Sequence, residues 1–150
     1  MKHLFFSTLF LLGASLPALQ AQDLKAQQIA FFKAFEDATN RSDVDALNAL
    51  YSDEVTFLNG QDGSRSLKMN RQQLREADVK QFSEIDDRMT MVIETVEALA
   101  DGKVKTGGTF SGVNTNKKTG LQNNYSAVFE AITAMENGQW RLLQIKTWHP

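Results

Sequence analysis

Side chains able to carry acid–base or nucleophilic chemistry are few and scattered in this chain. It has no cysteine and two histidines, His3 and His149. The missing thiols exclude a cysteine nucleophile, a zinc–thiolate site and thiol redox chemistry. With His149 the one histidine beyond the N-terminal segment, a metal site would have to draw its other ligands from carboxylates, so no metal and no cofactor is expected. A Ser-His-Asp set is formally available, but no Gly-x-Ser-x-Gly elbow presents a serine. Asp53 and Glu54, in "LYSDEVTFLNG", suggest a carboxylate pair. Neighbours in an extended segment point to opposite faces, so turn chemistry at the helix end is the better reading. Glu84, Asp86 and Asp87 in "SEIDDR" lack the glycine and the spacing of a calcium loop. His149 could act as acid or base near neutral pH, although it is the penultimate residue, where chain ends fray.

The elements that must position such groups follow from the hydrophobic pattern. Residues 1–21 open with Lys2 and His3, run apolar from Leu4 to Leu16 and end in small residues. That pattern predicts a signal peptide cut after Ala21, which implies export to the periplasm or the medium. The apolar run is too short to span a membrane, so no membrane association is expected after cleavage. Residues 22–150 then form one domain, whose core must suffice without disulfides. The formal net charge is -2, and the basic residues are dispersed, with only Lys117 and Lys118 adjacent. A nucleic-acid footprint would need a basic patch, so no nucleic-acid partner is expected.

Ile29, Phe32, Phe35 and Ala38, with Phe31, predict a helix from Leu24 to about Asn40. Ser42 with Asp45 reads as the cap of a short second helix, with Val44, Leu47, Leu50 and Tyr51 on its buried side. "EVTFL" alternates and predicts a short strand, and "NGQDGSRS" reads as a loop. Asn70 and Gln73 form a capping box for a third helix with Leu74, Ala77, Phe82 and Ile85 inward. Asp101-Gly102, "NKKTG" and Asn137-Gly138 punctuate four long strands that should form an antiparallel meander. A phase slip between Ile93 and Val96 predicts a bulge in the first of them. Gly107, Gly108 and Gly112 mark either bends or close backbone approach in the second. In the last strand Leu143 and Ile145 should face one way and Trp140, Leu142 and Trp148 the other. Both sheet faces then carry apolar residues, which predicts a homodimer through the sheet face.

"SDVDALNALYSDEVTF" after an aromatic first helix, and a final "NGQWRLLQIKTWH", resemble the nuclear transport factor 2-like superfamily, and within it the SnoaL-like group. The resemblance implies an α+β cone: a curved antiparallel sheet wrapped around three helices, in the order α-α-β-α-β-β-β-β, with a pocket inside. Ketosteroid isomerase belongs to that superfamily, and its proton-shuttling aspartate corresponds by the resemblance to Asn59, which cannot take up a proton at neutral pH. Its oxyanion-hole tyrosine corresponds to Phe35, and its oxyanion-hole aspartate falls near Ala131. Scytalone dehydratase, another relative, needs two histidines. The acid–base sets of both relatives are therefore missing.

If Leu143 and Ile145 face inward, Thr147 and His149 share their parity, and Tyr125, Phe129 and Ala131 line the adjacent strand. With Phe35 and Asn59 they would make an apolar pocket with a few polar tips. The expected ligand-binding set is therefore Phe35, Asn59, Tyr125, Phe129, Ile145 and His149. The leading expectation is an exported domain that binds a small, largely apolar ligand or acts as an interaction module. Two alternatives stand beside it. One is an isomerase- or cyclase-type enzyme using His149 with Asn59 and Tyr125. The other is a structural dimer whose cone is filled by its own side chains, among ten phenylalanines.

Overall fold

The computed structural model describes residues 16–149, with side chains from Gln20 onward. Most of the expected leader, through residue 15, lies outside the described residues. The first element, α1 (Leu16–Asn40), is a helix of 25 residues, so it starts before the expected cleavage point. Then come α2 (Val44–Leu50), β1 (Tyr51–Asn59), β2 (Arg65–Asn70), α3 (Arg71–Glu84), β3 (Ile85–Ala98), β4 (Val104–Asn116), β5 (Gln122–Glu136) and β6 (Gln139–Trp148). The six strands form one curved sheet in the order β2-β1-β6-β5-β4-β3. All neighbours are antiparallel except β1 and β6, which run parallel. The expected α+β cone and the four-strand meander are both present.

The inward stripe of α1 differs from the expected one by a residue. Ile29 is exposed, whereas Gln28 is fully buried with Phe32. A spacing of three drifts around a helix of 3.6 residues per turn, so Ile29, Phe32, Phe35 and Ala38 do not share one line. Gln28 tolerates burial because its Oε1 accepts hydrogen bonds from the hydroxyls of Thr133 at 3.0 Å and Thr106 at 3.3 Å. Phe32 meets Phe129 at 5.3 Å between ring centroids, and Phe31 meets Phe32 edge-on at 5.1 Å. Around these rings the core gathers Leu47, Tyr51, Val55, Leu74, Phe82 and Leu142.

Helix α1 also closes the free edge of β3. Asn40 Oδ1 accepts from the Met89 amide at 2.7 Å, and Asn40 Nδ2 donates to the Met89 carbonyl at 2.9 Å. One turn earlier, Glu36 Oε2 accepts from the Met91 amide at 2.9 Å. Two side chains thus stand in for a neighbouring strand, and they block further pairing at that edge.

Several local expectations are corrected. The cap of α2 is Asp43, whose carboxylate accepts from the Ala46 amide at 3.0 Å; Ser42 instead takes a positive φ of 54° in the preceding turn. Arg65 and Ser66, read as the end of a loop, and residues 67–69, assigned to no element, form with Asn70 the edge strand β2 paired along β1. Its polar, mostly exposed composition hid it. On α3 the capping box is present, with reciprocal bonds of 2.9 Å between Asn70 and Gln73. Ala77 is exposed. The predicted bulge in β3 lies between Ile93 and Thr95. A second one, not foreseen, lies in β6, where Leu142 pairs with Thr133 and Gln144 with Ile132, leaving Leu143 unpaired. That extra residue reverses the parity of the strand. Leu142 and Ile145 consequently both serve the core, and Trp140 packs inward, donating to Gln27 Oε1 at 3.0 Å. Of the two tryptophans only Trp148 stays with Val128 on the outer face. Gly108 and Gly112 are close-approach positions, since a Cβ there would collide with the carbonyls of Val92 and Arg88.

Candidate functional site

The register of β2, β1 and β6 builds a cavity rung by rung. Asn59 pairs with Arg65 on one side and Thr147 on the other. Two residues along, Phe57 pairs with Leu67 and with Ile145. Because strand parity has a period of two, both rungs look to the same side as fully buried Val55, which is the concave side. The result is a polar rung, Arg65–Asn59–Thr147, at the end of the sheet and an apolar rung, Leu67–Phe57–Ile145, just inside it. Together with Leu58 and Ser66 they line a cavity of about 370 Å³. That is near the lower end of the usual size for small-molecule sites, roughly 300–1,000 Å³. Thr147, Asn59 and Arg65 have no side-chain hydrogen-bond or ion-pair partner among the described residues. Gly60 continues the turn beyond, donating its amide to the Thr147 carbonyl at 3.0 Å.

Two of the expected ligand-binding residues, Asn59 and Ile145, meet in this cavity. The other four lie elsewhere. Phe35 is half-buried, edge-on to Tyr51 at 6.1 Å. Phe129 is fully enclosed between Phe32 and Phe110. Tyr125 donates its hydroxyl to Asp87 Oδ1 at 2.6 Å, lying across Gly112, where any side chain would strike the phenol. His149 is exposed, with Nδ1 2.9 Å from the Ser126 carbonyl. Phe57, Arg65 and Leu67 were missed. A signal was available, since "NG" and "DG" bracket a hairpin turn and Leu67 alternates with Met69 beyond it.

Two acids, buried Asp87 and half-buried Asp78, sit apart from this lining. Burial raises Asp87, while the Tyr125 hydrogen bond opposes that and the Asp86 charge adds to it. Tyr125 is raised in turn, by burial first and then by its bond to Asp87. Asp78, on α3, is pushed up to about 6 by burial. Its Oδ2 is buried without a partner among the described residues. Tyr51 is raised by burial and by the Asp78 charge. Each phenol stays neutral at any physiological pH. Among the described residues no three of His, Asp and Glu gather as a metal site would require, and no helix is long and apolar enough to cross a membrane.

A more open groove of about 480 Å³ runs between α1, the end of α2 and the β5–β6 turn, lined by Gln27, Ala30, Phe31, Leu50 and Trp140 among others. Its polar side chains are already engaged: the Trp140 indole donates to Gln27 Oε1, Gln27 Nε2 donates to Asp23, and Gln139 Oε1 accepts from Arg141.

Comparison with known proteins fits this architecture. Residues 29–147 match the family model of the SnoaL-like domain. Among solved structures, a ketosteroid isomerase-like protein from Erwinia carotovora atroseptica superposes with a TM-score of 0.67 at 21% identity, covering 86% of this chain and 95% of that one. A conserved protein from Planctomyces limnophilus gives 0.73 at 16% identity, covering 85% and 96%. An NTF-2-like protein from Shewanella oneidensis gives 0.68 at 14% identity, covering 83% and 98%. At such identities the likeness is one of fold. Among curated proteins none matches the sequence.

Proposed function

The chain belongs to the SnoaL-like domain family, and from that premise we propose that it binds a small, largely apolar molecule in the cavity between β2, β1 and β6. The observation that carries this reading is the stacking of the two rungs: an apolar floor of Leu67, Phe57 and Ile145 under polar tips that the fold itself does not use. Arg65 is the one ionisable side chain in the lining. The cavity therefore offers shape and hydrogen bonds rather than a proton relay, and binding is favoured over turnover. An isomerase or cyclase built on His149, Asn59 and Tyr125 would need these three to converge, whereas Tyr125 is engaged by Asp87 and His149 by Ser126. The deep part of the cone is filled by Phe32, Phe110 and Phe129, so self-filling accounts for the interior but not for the open end.

Native mass spectrometry of the protein purified from its producing cell tests the reading. A retained small molecule, lost in Ile145→Trp while the fold persists, supports it. A clean apo chain that takes up no apolar probe refutes it.

Two further expectations belong to the same proposal. A second copy of the chain would cover the outer face, where Val92, Val128, Ile132 and Trp148 form an apolar surface beside the Glu130–Lys146 pair. Sedimentation that finds only monomer at micromolar concentration would rule this out. Export would be carried by residues 1–21, and N-terminal sequencing of the mature protein should begin at Gln22.

A further inference from the structure

We infer that the molecule taken by this cavity is an amphiphile with a carboxylate head: an apolar body on the inner rung and an anionic group held by Arg65, Asn59 and Thr147. The inference rests on the binding reading above and adds the class of ligand.

Three observations point to it. First, the rim is rich in donors. The guanidinium, the Asn59 amide nitrogen and the Thr147 hydroxyl can all donate, and the register sets them side by side across three strands. A cluster of donors around one guanidinium suits an anion that presents several acceptors, of which a carboxylate is the smallest planar one and matches the guanidinium fork.

Second, Arg65 is free among the described residues. Eight other lysines and arginines take part in ion pairs: Lys33, Lys68, Arg71, Arg75, Arg88, Lys103, Lys105 and Lys146. Lys25, Arg41, Lys80, Lys117, Lys118 and Arg141 also stand outside any ion pair among the described residues, but none of them lines the cavity. On β2 itself Lys68 is neutralised by Glu54 at 2.5 Å. Lys68 points to the opposite side of the strand from Arg65 and Leu67. The strand therefore pairs its outward cation internally and leaves its cavity-facing cation without a counter-charge.

Third, polarity changes in one step. The rung next to Arg65–Asn59–Thr147 is Leu67–Phe57–Ile145, and the one after it pairs fully buried Val55 with half-buried Met69. A wholly polar ligand would leave uncovered the inner rung, whose Leu67 is 58% exposed, and a hydrocarbon would make no use of the solvent-facing donors beside it. A molecule with a charged end and an apolar end satisfies both rungs in one orientation.

Calorimetric titration of the full chain with octanoate and with octanol tests the assignment, because the two share a body and differ in the head. At neutral pH octanoate is expected to bind roughly tenfold more tightly than octanol, with the preference shrinking as salt is raised. Arg65→Gln should abolish the preference by weakening octanoate much more than octanol, and Arg65→Lys should keep part of it as a point charge. Arg65 is exposed, so these variants retain the fold, as thermal melting will verify. Equal affinities in the parent, or a preference for octanoate that survives Arg65→Gln, would overturn the head-group assignment while leaving the binding reading intact. Failure of both probes to bind would overturn the cavity reading and this inference with it.

Discussion

The two ends of the concave sheet surface are built to different rules. Over β3, β4 and β5 the surface is closed by α1. Phe32 seals Phe129, the Gln28 carbonyl takes two threonine hydroxyls, and Asn40 and Glu36 satisfy the backbone of the β3 edge. Over β2, β1 and β6 the rim is lined by strand residues, with no helical residue among those described. Its polar tips, Arg65, Asn59 and Thr147, lack partners among the described residues. One end spends its side chains on holding the fold, and the other leaves them available. Groups that a fold does not need are the ones free to meet a ligand.

Substitutions at the two ends should therefore separate stability from binding. The largest effect is expected at Phe129. Phe129→Ala empties a fully buried site and should cost about 4 kcal/mol in denaturant unfolding. Phe57→Ala, in the half-open cavity, should cost about half as much yet weaken apolar ligand binding more. A larger stability loss at Phe57 than at Phe129 would break the contrast. Next comes Asn40→Ala, which strips both partners from Met89 at the β3 edge and should cost about 2 kcal/mol. The same variant should speed amide exchange at Met89 without touching ligand affinity.

Asp78, outside the cavity lining, makes stability depend on pH. Burial lifts its carboxyl from 3.8 to about 6, so the folded chain holds that proton more firmly than the unfolded chain does. Its contribution to stability is therefore full below about pH 4 and is lost as pH rises through about 6. Asp78→Asn should match the parent at pH 4 and exceed it at pH 7. The gain is on the order of 1 kcal/mol once partial solvent contact is allowed for. A variant less stable than the parent at pH 7 would show that the carboxylate has a stabilising partner. The smallest stability effect belongs to Arg65→Gln, within about 0.5 kcal/mol of the parent.

Much of this architecture was readable from residue pattern alone. Asp-Gly and Asn-Gly turns, the Asn70 capping box and the β3 phase slip are local signals, and the structure contains each of them. The site was readable only in part. Asn59 and Ile145 were reachable from strand parity. Arg65 and Leu67 were signalled only by the flanking turn glycines and the Leu67–Met69 alternation, a faint cue because a polar edge strand is stabilised by backbone pairing to β1 rather than by its own side chains. The Leu143 bulge was hidden too. It moved Trp140 and Leu142 from the outer face to the inner one, and strand parity assumed from sequence has no memory of a skipped residue. Tyr125 failed to reach the cavity for a tertiary reason: Gly112 on the neighbouring strand opens a slot toward Asp87.

We propose that a small apolar molecule binds at the β2–β1–β6 end. Backbone amide chemical shifts followed by NMR during titration with octanol test it most directly. Saturable shifts should cluster at residues 57–59, 65–67 and 145–147, with little change around Phe129 or Tyr125. Shifts confined to the groove between Gln27 and Trp140, or none that saturate, would contradict it.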